Sequence, residues 1–293
     1  MTDRVVNPLR VEFWQTLARA LVVPRGSDFF AAMREDLTDD LDDLGHELGL
    51  DLGNTLHEFS RAALQLVDEE TLLVAYSRLF LTPPIPCRLT LGWYLDGTVM
   101  GPSEQYLGDL MAHHGVAQIP DLGESKDVLP TVLELLALLL QRLDESEDAA
   151  RRASLEKDIA ILCTHCLGPS LRQMVELAAQ AEEHYALVPV YSRLLKIVVA
   201  ALDDPQERFF VPLEADAKKA PPRFFAKRES SADLVTCAAC GKLIATAREL
   251  RVVIHRLTQD GLPADHLTLC PDCREVEMGW KSGSSKLHIP GMH

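Results

Sequence analysis

What the chain lacks narrows its role first. A membrane helix needs roughly 18 apolar residues in a row, and no stretch of the 293 residues supplies them: Arg142 closes the longest run, and Arg193 and Lys196 interrupt the last. No membrane insertion is expected. Met1 to Arg10 has no apolar core followed by a small-residue cleavage site, so no secretory signal is expected and the chain reads as cytoplasmic. No glycine loop of the phosphate-binding kind, no Ser/His/Asp set and no paired-carboxylate signature stands out. The expectation is a protein that acts by binding, not an enzyme.

Positive charge is scarce over most of the chain. Up to Asp204 there are 16 Lys and Arg against 33 Asp and Glu, a net −17, whereas the rest has 13 against 11, a net +2. Such an acidic body repels nucleic acid and anionic membranes and steers basic peptides or proteins toward itself, besides keeping the chain soluble. Cysteine is too sparse for a disulfide framework. There are seven, four of them in two C-x-x-C pairs, which suits metal ligands in a reducing compartment.

What is present is helical periodicity. Leu9, Phe13, Trp14, Leu17 and Leu21 recur at helical spacing and predict a first helix, ended by Pro24-Arg25-Gly26. Ser27 or Asp28 caps a second helix running toward Leu37. The acidic stretch 36–53 predicts a short helix within a solvated connection. Further helices are expected over 55–67 and 68–81, from Ser103 to near Gly115, from Glu145 toward His165, through Leu171 and Ala178, and over 184–202. Pro83, Pro84 and Pro86 force a stiff loop, and Gly168-Pro169 should break or kink its run.

The body is organised around residues 127–140. Asp127 is expected to cap this helix, with Pro130 in its first turn, where a missing N–H costs nothing. At 100° per residue Asp127, Thr131, Glu134 and Gln141 share one narrow sector while Val, Leu and Ala fill the rest. Most of the helix must be buried, and its polar stripe must face water, a buried network or a ligand. With no convincing strand before residue 204, residues 1–204 are expected to form an all-α helical body of about ten helices.

Residues 205–236 carry four prolines and paired charges and read as a linker, although Phe209-Phe210 and Phe224-Phe225 are unusual in a free one. Cys237-Ala-Ala-Cys240 and Cys270-Pro-Asp-Cys273 follow as two knuckles separated by 29 residues. Four cysteines converging on one ion make the closed tetrahedral site typical of structural zinc. Between them Leu250 to Leu257 alternates as a strand, Gln259-Asp260-Gly261 turns and His266 to Leu269 returns, which predicts a small β zinc ribbon over 237–279 before a flexible tail, 280–293. A segment this small needs the roughly 10–16 kcal/mol that zinc supplies. His255 and His266 are spare ligands. Cys163-Thr-His-Cys166 lies in a helical pattern and reads as buried thiols, and Cys87 stands alone.

Taken in order, the body motifs resemble a known family. Tyr76-x-x-Leu79-Phe80, a proline-rich loop, Gly101 before a helix, Asp127-x-Leu-Pro-x-x-Leu-Glu134, and Leu162-x-x-His165 ahead of a last tyrosine-bearing helix look like the TorD/DmsD/NarJ family of redox-enzyme maturation chaperones. The central motif is similar to the NarJ-like branch, and the resemblance covers roughly residues 55–204. It implies a cytoplasmic all-α chaperone that binds the twin-arginine leader or N-terminal segment of a molybdoenzyme catalytic subunit. The chaperone would hold that subunit for cofactor insertion and then release it for assembly or export, with a homodimer left open. Carried over by position, Tyr76, Asp127, Glu134 and His165 are candidate client-binding residues, with Arg88 added as a possible partner of the polar stripe that bears Glu134 and a helix-in-groove mode of docking. The residues alone also place Leu79, Phe80, Leu133 and Tyr76 in a core. The chain departs from the pattern at Cys87-Arg88-Leu89, where a Tyr-Glu-Ser-like run is frequent, and at Val128, where many members have His. The zinc ribbon lies outside the family's usual body and leaves a second reading, a regulator whose ribbon binds nucleic acid or a transcription partner.

Overall fold

The structure, a computed structural model, describes residues 8–98, 101–116, 125–204, 234–241, 243–246, 250, 254, 258, 264–270 and 273–274. Two compact units divide it, Met1–Ala226 and Lys227–His293. Their boundary falls inside the segment expected as a linker. Most of that segment, with both phenylalanine pairs, lies outside the described residues, as does the tail 280–293.

The regular elements described in the first unit are helices: α1 (Pro8–Ala20), α2 (Ser27–Ala31), α3 (Leu37–Leu48), α4 (Gly53–Ala63), α5 (Glu69–Phe80), α6 (Leu91–Leu95), α7 (Pro102–His113), α8 (Leu129–Glu145), α9 (Ala149–Ile161), α10 (Gly168–His184) and α11 (Val190–Asp203). The expected central helix is α8. Leu129, Val132, Leu133, Leu136, Leu139 and Leu140 are fully buried, each side chain contributing about 1.5–3 kcal/mol through the apolar surface it removes from water. It packs along α1 and against α9, while α11 lies against α10 and α4. Glu134 is exposed and Thr131 and Gln141 half-buried, so the polar stripe of α8 faces solvent.

Two stretches differ from expectation. The acidic segment is a twelve-residue helix, α3, with Leu37, Leu41 and Gly45 in the core and Asp39, Asp40, Asp42 and Asp43 outside. Spacing of four between the buried positions makes the helix amphipathic, where composition alone suggested a solvated connection. Gly168-Pro169 does not break the chain's path. A π-helical segment, Leu162–Leu167, joins α9 to α10, and Pro169 falls in the first turn of α10. The wider turn absorbs the missing proline donor and its clash with the carbonyl four residues back. Cys163 and Cys166 sit buried in this segment, and burial pushes the Cys166 thiol up to about 12.

Carboxylates remote in sequence hold three helix starts. Asp127 does not cap α8. Its Oδ2 accepts from the Gly92 amide at 2.6 Å and its backbone oxygen from Leu91 at 2.9 Å, so it caps α6 from 35 residues away. Asp96, just past α6, accepts from the Ser103 amide at 2.8 Å and the Ser103 hydroxyl at 2.9 Å, at the start of α7. Glu182 of α10 accepts through one oxygen from the amides of Tyr191 and Ser192, each at 3.0 Å, at the start of α11. Helix N-termini expose unpaired N–H groups and a partial positive charge, and these carboxylates answer both.

In the second unit β1 (Leu234–Thr236) pairs antiparallel with β2 (Leu243–Thr246), and the first knuckle is the turn between them. The expected strand after Leu250 is corrected: Leu250, Ile254 and Thr258 are helical, with the Thr258 hydroxyl on the Ile254 carbonyl at 2.8 Å. The expected return strand is a 3₁₀ turn, Asp265–Thr268.

Candidate functional site

The helix α5 has two apolar faces. Asp68 fixes its start by accepting from the Thr71 amide at 2.8 Å. Leu72, Ala75, Tyr76, Leu79 and Phe80 point into the core. Leu73 and Val74, 42% and 43% exposed, and Leu81 point out beside Glu69 and Glu70. Leu72-Leu73-Val74 is the sequence signal for this, because three consecutive residues at 100° steps span more than one buried stripe.

Tyr76 ties this helix to α1. Its hydroxyl donates to the Leu21 carbonyl at 3.3 Å, and its ring meets Phe80 and Tyr191 edge-on with centroids 4.9 and 5.5 Å away. The turn after α1 is thereby held beside α5. Between them lies a cavity of about 580 Å³ lined by Val23, Pro24, Phe30, Leu72 and Leu73, with Glu69 and Glu70 on the α5 lip and Arg25 on the other. Its volume is within the usual range for binding clefts, about 300–1,000 Å³.

The other expected client residues fall elsewhere. Asp127 is fully buried, with Gly92 on one oxygen and a short bond from Ser125 Oγ on the other, so like Tyr76 it presents no surface to a partner. Arg88 is half-buried, its guanidinium 4.7 Å from the centre of the Trp93 ring, a cation–π stack. His165 is half-buried on the π-helical segment, and Glu134 is exposed on α8. Cys87 is sealed between the Tyr94 hydroxyl and the Met174 carbonyl, and burial pushes its thiol up to about 12, which removes it as a nucleophile.

The structure brings the four knuckle cysteines together. The Sγ atoms of Cys237, Cys240, Cys270 and Cys273 all lie within 4.8 Å of one another. Each knuckle closes on a backbone bond: Gly241 N to the Cys237 carbonyl and Arg274 N to the Cys270 carbonyl, both 2.9 Å. Gly241 adopts φ of +73°, a left-handed turn that favours glycine. Ala238 N bonds the Thr268 carbonyl at 3.0 Å and so links the two knuckles. Backbone donors, that of Cys270 foremost, pull the Cys237 thiol down to about 6, while hydrogen bonds among the neighbouring thiols, that with Cys240 foremost, push Cys273 up to about 12. The donor set is that of a four-coordinate site for a thiophilic ion. His255 and the side chain of His266 lie outside the described residues.

An all-α scaffold with an acid-lipped apolar cleft, joined to a four-cysteine module, is the class of protein the geometry defines. Residues 33–176 match the family described as nitrate reductase delta subunit, and this match supports the resemblance to NarJ-like redox-enzyme maturation chaperones. A provisionally named redox enzyme maturation protein of Archaeoglobus fulgidus matches at 19% identity and a TM-score of 0.37, covering 64% of this chain and 93% of its own. No curated protein matches. Among the described residues no helix is long and apolar enough to cross a membrane.

Proposed function

We propose that the chain is a cytoplasmic, non-enzymatic chaperone that holds the leader or N-terminal segment of a molybdoenzyme catalytic subunit in the cleft between α5 and the turn after α1. The observation that carries this reading is the exposed apolar face of α5 opening onto a cavity with two glutamates on its lip. A leader that combines arginines with an apolar helix matches that surface in kind. Its apolar side chains fill the pocket formed by Val23, Phe30 and Leu73, while Glu69 and Glu70 pair with its arginines and fix its orientation. Tyr76 and Asp127 serve at a distance, Tyr76 by positioning the cleft wall and Asp127 by holding α6, and Glu134, exposed on α8, can meet a longer client segment. The four cysteines hold one structural zinc, which folds the second unit.

The test is fluorescence anisotropy of a labelled twin-arginine leader peptide against the full chain. Micromolar binding is expected. Glu69→Lys with Glu70→Lys should weaken it roughly tenfold and flatten its salt dependence, and Leu73→Asp should weaken it by about 2 kcal/mol. Peptide that does not bind, or that binds both variants as tightly as wild type, would remove the cleft from the proposal.

A further inference from the structure

On the helical unit a second cluster of chemistry-bearing side chains lies outside this cleft. The helix α7 ends in His113, and the chain passes through His114 into a left-handed turn at Gly115, φ +62°. His114 Nε2 stands 3.0 Å from Asp158 Oδ2 of α9. The His113 ring lies nearly perpendicular to that of His114, at 84°, with centroids 4.9 Å apart. One nitrogen of each imidazole and one Asp158 oxygen lie within 4.8 Å of one another. The two histidines line a cavity of about 500 Å³ together with Arg142, Glu145, Arg151 and Ser154, and Asp158 stands behind His114.

The spacing has a coordination reading. The 3.0 Å hydrogen bond between His114 Nε2 and Asp158 Oδ2 has only to open by about 0.4 Å to reach the separation of two donors about 2.1 Å from one tetrahedral ion. His113 is exposed, and one of its ring nitrogens lies within 4.8 Å of both donors. Two imidazoles with one carboxylate suit divalent first-row ions such as zinc, nickel or copper, whereas magnesium and calcium favour oxygen ligands alone. We propose that His113, His114 and Asp158 form a binding site for a divalent first-row metal ion, separate from the four cysteines.

The surroundings define how such an ion sits. Arg142 donates a short bond to the His114 carbonyl, which fixes the backbone carrying both imidazoles. Arg142 and Arg151 bring two positive charges to the cavity and Glu145 one negative. Three protein donors leave coordination positions open, and the two arginines favour an anionic ligand there over a neutral one.

Calorimetric titration of the reduced, metal-free full chain with Zn²⁺ tests the assignment. Wild type should bind one equivalent more than the His113→Ala/His114→Ala double variant, and that difference counts this site whatever the cysteines hold. His113→Ala alone, at an exposed position, and Asp158→Asn should each weaken the extra equivalent tenfold or more, with helical circular dichroism unchanged. Equal stoichiometry and affinity in wild type and in the variants would overturn the proposal.

Discussion

Replacing Asp127 with alanine tests whether α6 is held from outside its own sequence. The change deletes both acceptors at once, with unequal effects. Ser125 Oγ keeps Glu104 Oε1 at 3.0 Å, so its loss is small. The buried Gly92 amide loses the carboxylate 2.6 Å away. Leaving a buried donor unpaired costs about 1–3 kcal/mol, and a bond to a charged partner is worth about 1.5–3. The two figures describe one event, so the expected loss is about 2–3 kcal/mol. At a urea slope of about 1–3 kcal/mol per molar, the unfolding midpoint should fall by about 0.7–3 M. Asp127→Asn keeps one oxygen for Gly92 and turns its amide toward Ser125 Oγ, which accepts as readily as it donates, so its loss should stay below about 1.5 kcal/mol. Urea unfolding followed by circular dichroism measures both variants, and exchange of the Gly92 amide locates the effect. An alanine variant within about 0.5 kcal/mol of wild type, or an equally protected Gly92 amide, would refute the cross-chain cap.

Three further outcomes are expected. Tyr76→Phe removes one hydrogen bond worth about 1 kcal/mol without disturbing ring packing; unfolding should show that small loss, and leader-peptide anisotropy a weakening beyond it if Tyr76 positions the cleft. Burial raises the Glu182 carboxyl above its ordinary 4.5, outweighing the donors of Ser192 and Tyr191 that lower it. Because the folded value is the higher one, its contribution is full below the unfolded value and is lost as pH rises through the folded value. Glu182→Gln keeps an oxygen for both amides and cannot titrate, so its midpoint should decline less from acidic to neutral pH; identical profiles would refute this. Cys240→Ser should abolish one zinc per chain by metal analysis while leaving helical circular dichroism nearly intact, and unchanged zinc content would exclude the four-cysteine site.

Periodicity made the helices legible because each depends on its own residues: α8 announces itself through Leu129 to Leu140, and Pro130 marks its first turn. The four cysteines were legible for the same reason, since each C-x-x-C pair already sets half of a site. Asp127 was misplaced because local reading assigns a cap to the nearest helix, whereas its partner is Gly92, reached only after the chain folds back. The strand expected from Leu250 was misread because Leu250, Val252 and Ile254 satisfy a strand's alternation, while Leu250 and Ile254 are also one helical step of four apart. The cleft itself joins two segments some fifty residues apart, and only the surplus apolar residues of α5 hinted at it.

The borrowed caps also set an order of assembly. A helix of five residues such as α6 is far below the roughly 12–15 at which an isolated helix becomes even marginal. It gains its N-terminal acceptors only when the segment leading into α8 arrives, and Asp96, at its own end, then caps α7. Folding should therefore proceed with α8 and its neighbours forming early and α6 and α7 closing onto them afterwards. A nascent chain released before residue 127 lacks the group that starts α6, however complete the α6 and α7 sequences already are.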